Sequence, residues 1–476
     1  MYQFLRYHGN TTIINDTITI TITIASNTNT NTNTNTNTYT NTNTYTYTNT
    51  ARGFQQSGMI GGIFILTTVS LLAFETARIL LLSQSILYSK SSVISTYPEI
   101  ASSVLGKSWY YVVQTATAVS CIGGCVGYLI FLGELSAQLM HVSFKVAVII
   151  LCIPLVLLSW IRQFKELTIF TILGVVAICI AIVSILIDGF TQDVGYDIVA
   201  FRPTTSLNFF GPATFLYTIH YCVLSMGTEA LRDADTKNKT YMSLSSPSHS
   251  QSFSFKNTKS PSSPMGHLTA TNTTSSFTKP LAISYLISTT FIGILGAFGY
   301  LFFSTAPFPL TIDGGIVPGC EDHVCQNIII NLTPGPIKAT VSLALVIAIS
   351  LGYIIVLAPA REHIETAILS NVSNTYCSSD VLKNIIRTCI VLGTAVVAIS
   401  APYFGSILGL VGGLTDALQS FILPPIIYLK LTGNTLSYFR NNFYKTIVVW
   451  GLCTIIYTII KLAIMIGTYL SFLYLQ

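Results

Sequence analysis

Apolar residues in this chain gather into ten long runs between about Met59 and Tyr474, with no helical or strand-like alternation to polar. The runs are roughly 58–82, 109–133, 146–160, 168–188, 208–229, 281–304, 338–360, 384–401, 404–428 and 446–472. Most hold about 20 residues, the length with which a helix crosses about 30 Å of hydrocarbon. The pattern predicts ten helices that are apolar on every face, as bilayer-embedded helices are. Segments 146–160 and 384–401 are short, and are expected to extend into their flanks or to be covered by neighbours. Several runs are interrupted by Gly, Pro or a lone polar residue where a plain anchor would carry only Leu and Val. Broken backbone at membrane depth survives only where protein buries it or where it lines a cavity. The interruptions therefore point to a transporter rather than a scaffold.

Composition narrows the class further. Charged residues make up 9% of the 476 residues, where ordinary soluble domains carry roughly 25%. That excludes a large soluble enzyme. A net charge of +5 does not mark a nucleic-acid partner, because the Lys and Arg residues form no patch with interleaved aromatics. They sit between the apolar runs and report topology. Loops after the first, third, fifth, seventh and ninth runs hold seventeen Lys and Arg, and the remaining loops hold four. The basic set faces the cytoplasm, which puts both Gln476 and the start of segment 58–82 on the outer or lumenal side. A cytoplasmic N-terminus would need one further crossing before residue 58, and the sequence offers none.

Two polar stretches flank this multi-pass region of 51–474. Residues 1–50 are of low complexity: a Thr-Ile run at 17–24 leads into Asn-Thr repeats at 27–50. Eight Thr-Ile residues are too few to span, and Asn-Thr repeats offer no apolar face to offset their ordering entropy. The stretch is expected to be disordered, although adjoining dipeptide repeats also look like a translated simple nucleotide repeat. The long loop 233–280 is rich in Ser, Thr, Asn and Lys and carries three Ser-Pro steps. It reads as a disordered cytoplasmic insertion, with phosphorylation or a passive tether as its use. The start, MYQFLRYHGN, lacks the apolar core of a cleavable signal peptide.

Specific strings then add a resemblance. ARGFQQSGMIGGIF (51–64), YPEIASSVLGK (97–107) with Gly127-Tyr128-Leu129-Ile130, and Tyr217–Asp233 resemble parts of the amino acid/auxin permease family. So do Leu357–Glu362, Arg387, Ala401–Gly405, Gly409–Gly412 and Ile422-Leu423-Pro424. The family includes proton-coupled, sodium-coupled neutral and vesicular inhibitory amino acid transporters. The strings keep the family's order over about 420 residues. The resemblance implies an all-α membrane protein of two inverted five-helix repeats plus one extra helix. On that count this chain supplies helices two to eleven. The family's first helix carries a Gly-rich unwound stretch, and the repeats stand in its place; only its last turns, near Ala51–Phe54, are recognisable.

In inverted-repeat transporters the substrate lies near mid-membrane at two discontinuous helices. By resemblance these are the first and the sixth. The sixth, 208–229, brings Tyr217, Thr218, His220, Tyr221 and Ser225 into mid-span. A break near Thr218–Tyr221 would offer main-chain groups to a substrate; an intact helix bonded to its neighbours is the plain alternative. His220 is either a titrating group or a neutral one that holds helix geometry. Asp416, in a Gly-rich stretch of the 404–428 run, is a candidate for a proton or cation. Ser350 is the candidate sodium ligand, because in sodium-coupled relatives the ion sits between the eighth helix and the first. Glu75 stands three residues before Arg78, as Glu229 does before Arg232, and each is read as an ion pair. Glu134 lies near the outer end of 109–133, where water is expected to reach it.

Cys121 and Cys125 are read as small residues that let helices approach. Cys320 and Cys325 share a polar outer loop and are expected to form a disulfide. Asn331-Leu332-Thr333 is an outer sequon and makes Asn331 the candidate glycosylation site. Lys461, in the middle of the last run, either faces the bundle or snorkels. No phosphate-cradling loop, zinc-protease helix or nucleophile elbow is present, and no cofactor is expected.

The expected function is secondary active transport of amino acids by alternating access, with a proton or sodium ion as co-substrate and the proton favoured. The expected membrane is the plasma membrane or an endolysosomal or vacuolar one. A transport-incompetent sensor or scaffold that keeps the fold is the rival. A membrane-embedded enzyme would need convergent His or acidic clusters, which the spacing lacks.

Overall fold

The structure is a computed structural model. It describes residues 49–88, 96–161, 167–191, 198–221, 223–224, 264–305, 307, 309, 320, 323–369, 379–400 and 404–475. Residues 1–48, Ser225, the Glu229–Arg232 pair and the loop 233–263 lie outside them.

The described chain is helical. The order is α1 (Thr50–Ser57), α2 (Met59–Tyr88), α3 (Tyr97–Leu105), α4 (Ser108–Met140), α5 (Phe144–Ser159) and α6 (Leu167–Thr191). A 3-10 turn, Ser206–Phe209, then opens α7 (Phe210–Tyr217). α8 (Pro264–Phe303), α9 (Pro336–Leu369), α10 (Ser379–Ser400) and α11 (Phe404–Val411) follow. α11 passes through two π-helical segments, Gly412–Asp416 and Leu418–Ile422, into α12 (Leu423–Thr432), and α13 (Tyr438–Leu475) closes the chain.

Seven helices among the described residues are long and apolar enough to cross a membrane, and two shorter apolar ones, Phe144–Ser159 and Cys179–Thr191, join them. With the interrupted segment that starts at Phe210, all ten apolar runs are accounted for. The short run 384–401 gains its missing turn upstream, where α10 begins at Ser379. The last turns of the family's first helix form α1, which ends at Gly58 with φ +80°. α8 begins at Pro264, so residues 264–280 are helical and not part of a loop. Once a span has nucleated its helix, each further residue adds one hydrogen bond at little extra cost. A polar flank can therefore continue it.

The first five-helix repeat is represented by the eight-residue α1 and the four crossings α2, α4, α5 and α6, and the second by α7 with the segment beyond its break, α8, α9, α10 and α11–α12; α13 is the extra helix. α4 is the axis of the bundle. Every residue from Gly124 to Ser136 is buried, because α5, α9, α10 and α11 pack around it. α13 is the opposite case. Ile456, Ile459, Ile460 and Ile464 are 52–63% exposed, a face suited to lipid rather than to neighbours.

Candidate substrate site at a broken helix

The interruption falls within the apolar run 208–229, at Thr218-Ile219. α7 ends at Tyr217, Thr218 is extended (φ −80°, ψ 93°), and helix resumes at His220. The residues there explain why. In an unbroken helix the Thr218 N–H would bond Thr214 O. Instead the Thr218 hydroxyl donates to that carbonyl at 2.8 Å, and its N–H turns to Phe215 O at 3.4 Å. A Thr side chain competing with its own main chain is a known way to end a helix. The next carbonyl, Tyr217 O, accepts from the Tyr285 hydroxyl of α8 at 3.2 Å. The second half first closes an i→i−4 bond at Val223 N to Ile219 O, 2.9 Å. The N–H groups of residues 219–221 come before that ladder, at the positive end of a helix dipole.

His220 fixes the second half. It is fully buried, with Nε2 2.9 Å from Thr76 Oγ1 of α2 and Nδ1 2.9 Å from Ser420 Oγ of the second π segment. The Thr76 proton is already shared between Leu72 O and Ala73 O. Its oxygen is therefore the acceptor, Nε2 carries the hydrogen, and Ser420 donates to Nδ1. The ring assigned in this way is neutral. Ser420 also lies 3.1 Å from the Thr218 hydroxyl, so one short chain of hydroxyls joins both sides of the break. Beside it, Tyr217 stacks on Tyr285 (centroids 5.9 Å) and donates to Thr289, which also meets Ser70 at 2.6 Å. Tyr221 is half-buried between the two apolar clusters that adjoin the break.

A second polar centre lies across the π segments. Asp416 is fully buried and accepts from Ser120 of α4 at 2.6 Å through Oδ1, while Oδ2 has no hydrogen-bond partner among the described residues. One turn on, Gln419 accepts from Thr117 through Oε1 (2.8 Å) and from the Tyr97 hydroxyl through its main-chain carbonyl (2.6 Å). π segments frequently mark functional sites, since the wider turn re-aims side chains and unsettles the main-chain ladder. Glycines bring this helix against the broken one. A Cβ on Gly412 would lie 2.0 Å from Gly211 O, and one on Gly211 would lie 2.3 Å from Gly409 O.

The remaining candidates scatter. Ser350 donates to its own helix at Val346 O (2.7 Å), and no hydrogen bond among the described residues joins it to His220 or Asp416. Cys320 and Cys325 are bonded to one another. The Asn331 amide closes the same loop, donating to His323 O (2.7 Å) and accepting from Cys325 N (2.9 Å). A glycan on that nitrogen would have to release the first of these bonds. Glu134 is 6% exposed, and Asn327 donates to it at 3.2 Å; the loop covers this carboxylate, which the sequence had left open to water. The same loop takes Arg52 Nη1 on Val324 O at 3.0 Å and places Gln326 Oε1 on Gly405 N. It thereby closes the outer side over α1, α4 and α11. On the cytoplasmic side Glu75 pairs with Arg78 in two contacts of 2.6 and 2.7 Å and accepts from Tyr444. No group of three or more His, Cys, Asp or Glu among the described residues could hold a metal ion.

Sequence reasoning singled out Tyr217, Thr218, His220 and Tyr221 in the first cluster and Asp416 in the second, and missed their partners on other helices. Thr76, Ser120, Thr117 and Ser420 are ordinary hydroxyls in apolar runs. Only the Gln419-Ser420 pair, one turn beyond Asp416, carried a signal: three polar residues on one face of an apolar helix.

Fold and site together define a multi-pass membrane protein whose fifth apolar run is parted next to a buried polar cluster. The family described as transmembrane amino acid transporter protein matches residues 50–250 and 265–469, and the chain belongs to that family. Over 139 residues it is 30% identical to the vesicular inhibitory amino acid transporter of Homo sapiens, covering 27% of this chain and 26% of that one. Over 66 residues it is 38% identical to the vesicular GABA transporter of Caenorhabditis elegans, 14% of each. Over 390 residues it is 20% identical to solute carrier family 38 member 10 of Mus musculus, 80% of this chain and 31% of that protein. The matched stretches thus span less than a third of these curated relatives. Among solved structures, the manganese transporter of Eremococcus coleocola aligns at 12% identity and TM-score 0.41, over 89% of this chain and 94% of that one. A Na+-coupled sialic acid symporter aligns at 11% identity and TM-score 0.40, over 94% and 95%.

Proposed function

We propose that this chain is a secondary active transporter that carries amino acids across a membrane by alternating access, with the proton as the driving ion. The parted helix at Thr218-Ile219 carries the reading. The N–H groups of residues 219–221 suit a carboxylate at the positive end of a helix. Each carbonyl at the end of α7 keeps a second lone pair that suits an ammonium group. Tyr217, Thr218 and Tyr221 form the wall around a small zwitterion, with Ser225 the expected fifth member beyond the described residues. His220 holds the break open by bridging Thr76 and Ser420. Asp416 is the proton carrier: one oxygen is held by Ser120 and the other is unmatched, which suits a group that changes protonation as the bundle rocks. A sodium-driven variant would use Ser350. With the outer loop seated on α1 and α4, the conformation is closed to the outside. The plasma membrane or an endolysosomal or vacuolar membrane is the proposed setting, and the vesicular relatives add the vesicle membrane to that set.

The test is uptake of a panel of labelled amino acids, including γ-aminobutyrate and glycine, into proteoliposomes holding the full chain. Uptake that follows an imposed proton gradient, and not a sodium gradient, supports the reading. No uptake under any gradient ends it. One observation favours a second reading: repeats stand where the family's first helix carries its unwound stretch. A sensor that binds amino acids without moving them would show ligand-dependent thermal stabilisation and no uptake.

A further inference from the structure

A cavity of about 240 Å³ lies away from both polar centres, between the outer end of α7, α11 and the last helix. Its walls are mainly apolar, with Phe210, Trp450, Leu462 and Met465 among them, and Lys461 lines it as well. Lys461 has no hydrogen bond or ion pair among the described residues. An unpaired ammonium inside an apolar span is expensive, and such groups find an anion or an interface. Its depth follows from its neighbour one turn earlier. Tyr457 donates to Asn208, which sits at the outer start of α7, at 2.9 Å. α13 rises outward from Arg440 and Lys445 on the cytoplasmic side, so the Lys461 backbone stands about 6 Å further out than that of Tyr457, level with or outside the mouth of α7. The sequence placed it at mid-span; the packing places it at the outer rim of the pocket. Cys453, about two turns earlier on the same helix, is exposed, as are Lys461 and Met465.

We infer that this pocket is a binding site for an anionic phospholipid of the outer or lumenal leaflet. One acyl chain lies along the Phe210, Trp450 and Leu462 wall, and a headgroup oxygen accepts from the Lys461 ammonium. The volume is below the roughly 300–1,000 Å³ of whole-ligand pockets, which suits a single chain. Charge complementarity selects an anion over a zwitterion. Phospholipid rather than free fatty acid is the occupant because it surrounds the protein in vast excess.

The experiment is independent of any transport activity. The full chain, purified in neutral detergent, is titrated with palmitoyl-oleoyl phosphatidylserine, palmitoyl-oleoyl phosphatidylcholine or sodium palmitate, and its thermal unfolding midpoint is read. Phosphatidylserine is expected to raise the midpoint at lower concentration than phosphatidylcholine. Lys461→Met should weaken the phosphatidylserine response about tenfold, the loss of one charge-assisted hydrogen bond, and leave the phosphatidylcholine response in place. Lys461→Arg should retain it. Cys453→Trp fills the cavity and should erase the preference with the charge intact. Equal responses to the two phospholipids, an unaltered preference in Lys461→Met, or a palmitate response that matches phosphatidylserine would each overturn the assignment. Should Lys461→Met not fold, Cys453→Trp decides: a preference that survives it overturns the site.

Discussion

Two helices of the second repeat depart from α-helical geometry at the same buried place, and they do so differently. The 208–229 span parts at Thr218-Ile219, and its loose ends are held: Thr218 covers Thr214 O, Tyr285 covers Tyr217 O, and His220 clamps the second half to α2 and the π segment. The α11–α12 span stays continuous but widens into π turns, and one oxygen of Asp416 has no hydrogen-bond partner among the described residues. The first arrangement is satisfied, so it holds main-chain groups in a fixed place. The second is half-satisfied, and a half-satisfied carboxylate in a low-dielectric interior is the one whose charge can change. On the proposed reading, binding and coupling fall to neighbouring helices that touch through Gly211 and Gly412.

That division can be broken at three places, from the largest effect down. Gly412→Ala sets a methyl 2.0 Å from a main-chain oxygen that cannot swing aside. It should remove about 3 kcal/mol of stability, visible as a collapsed thermal midpoint; an unchanged midpoint would show that the two helices do not meet as described. His220→Ala strands Thr76 and Ser420 and should cost about 2 kcal/mol, with weaker substrate binding. His220→Gln, which keeps a donor and an acceptor, should recover part of both. Equal loss in the two variants would mean that the ring acts by its charge and not by bridging.

Asp416→Asn keeps the shape and the Ser120 contact but removes the titrating group. Gradient-driven uptake should fall about tenfold, or about 1.4 kcal/mol, within the range of coupling between two ligand sites, while substrate exchange without a gradient persists. Loss of exchange as well would move Asp416 from coupling to binding. The smallest effect belongs outside the comparison. Arg78→Met breaks a pair whose side chains are 24% and 21% exposed, and should cost only about 0.5 kcal/mol; a larger shift would mark the cytoplasmic contact with Tyr444 as a second control point.

Much of the fold was legible beforehand because a bilayer asks little of a sequence. Apolar length predicts a span and Lys bias predicts its direction, and both are sums along the chain. The break at Thr218-Ile219 was also foreseeable, since a stretch of polar side chains at mid-membrane needs a use. The insertion's end was misplaced, because nothing local distinguishes a polar loop from a polar helix that continues a buried one from Pro264. Glu134 was read as wet, because its cover comes from Asn327, 193 positions away.

By itself, the sequence determined the apolar helices, the family and the segment that parts. Each follows from properties that neighbours in the chain share. Only the tertiary structure decided which hydroxyls flank His220, that Ser120 and not another helix faces Asp416, that the outer loop is seated, and that Lys461 belongs to a rim. The pairings of His220 and Asp416 join positions 144 to 296 residues apart. In an interior apolar on every face, hydropathy carries no code for such partners; close packing alone selects them.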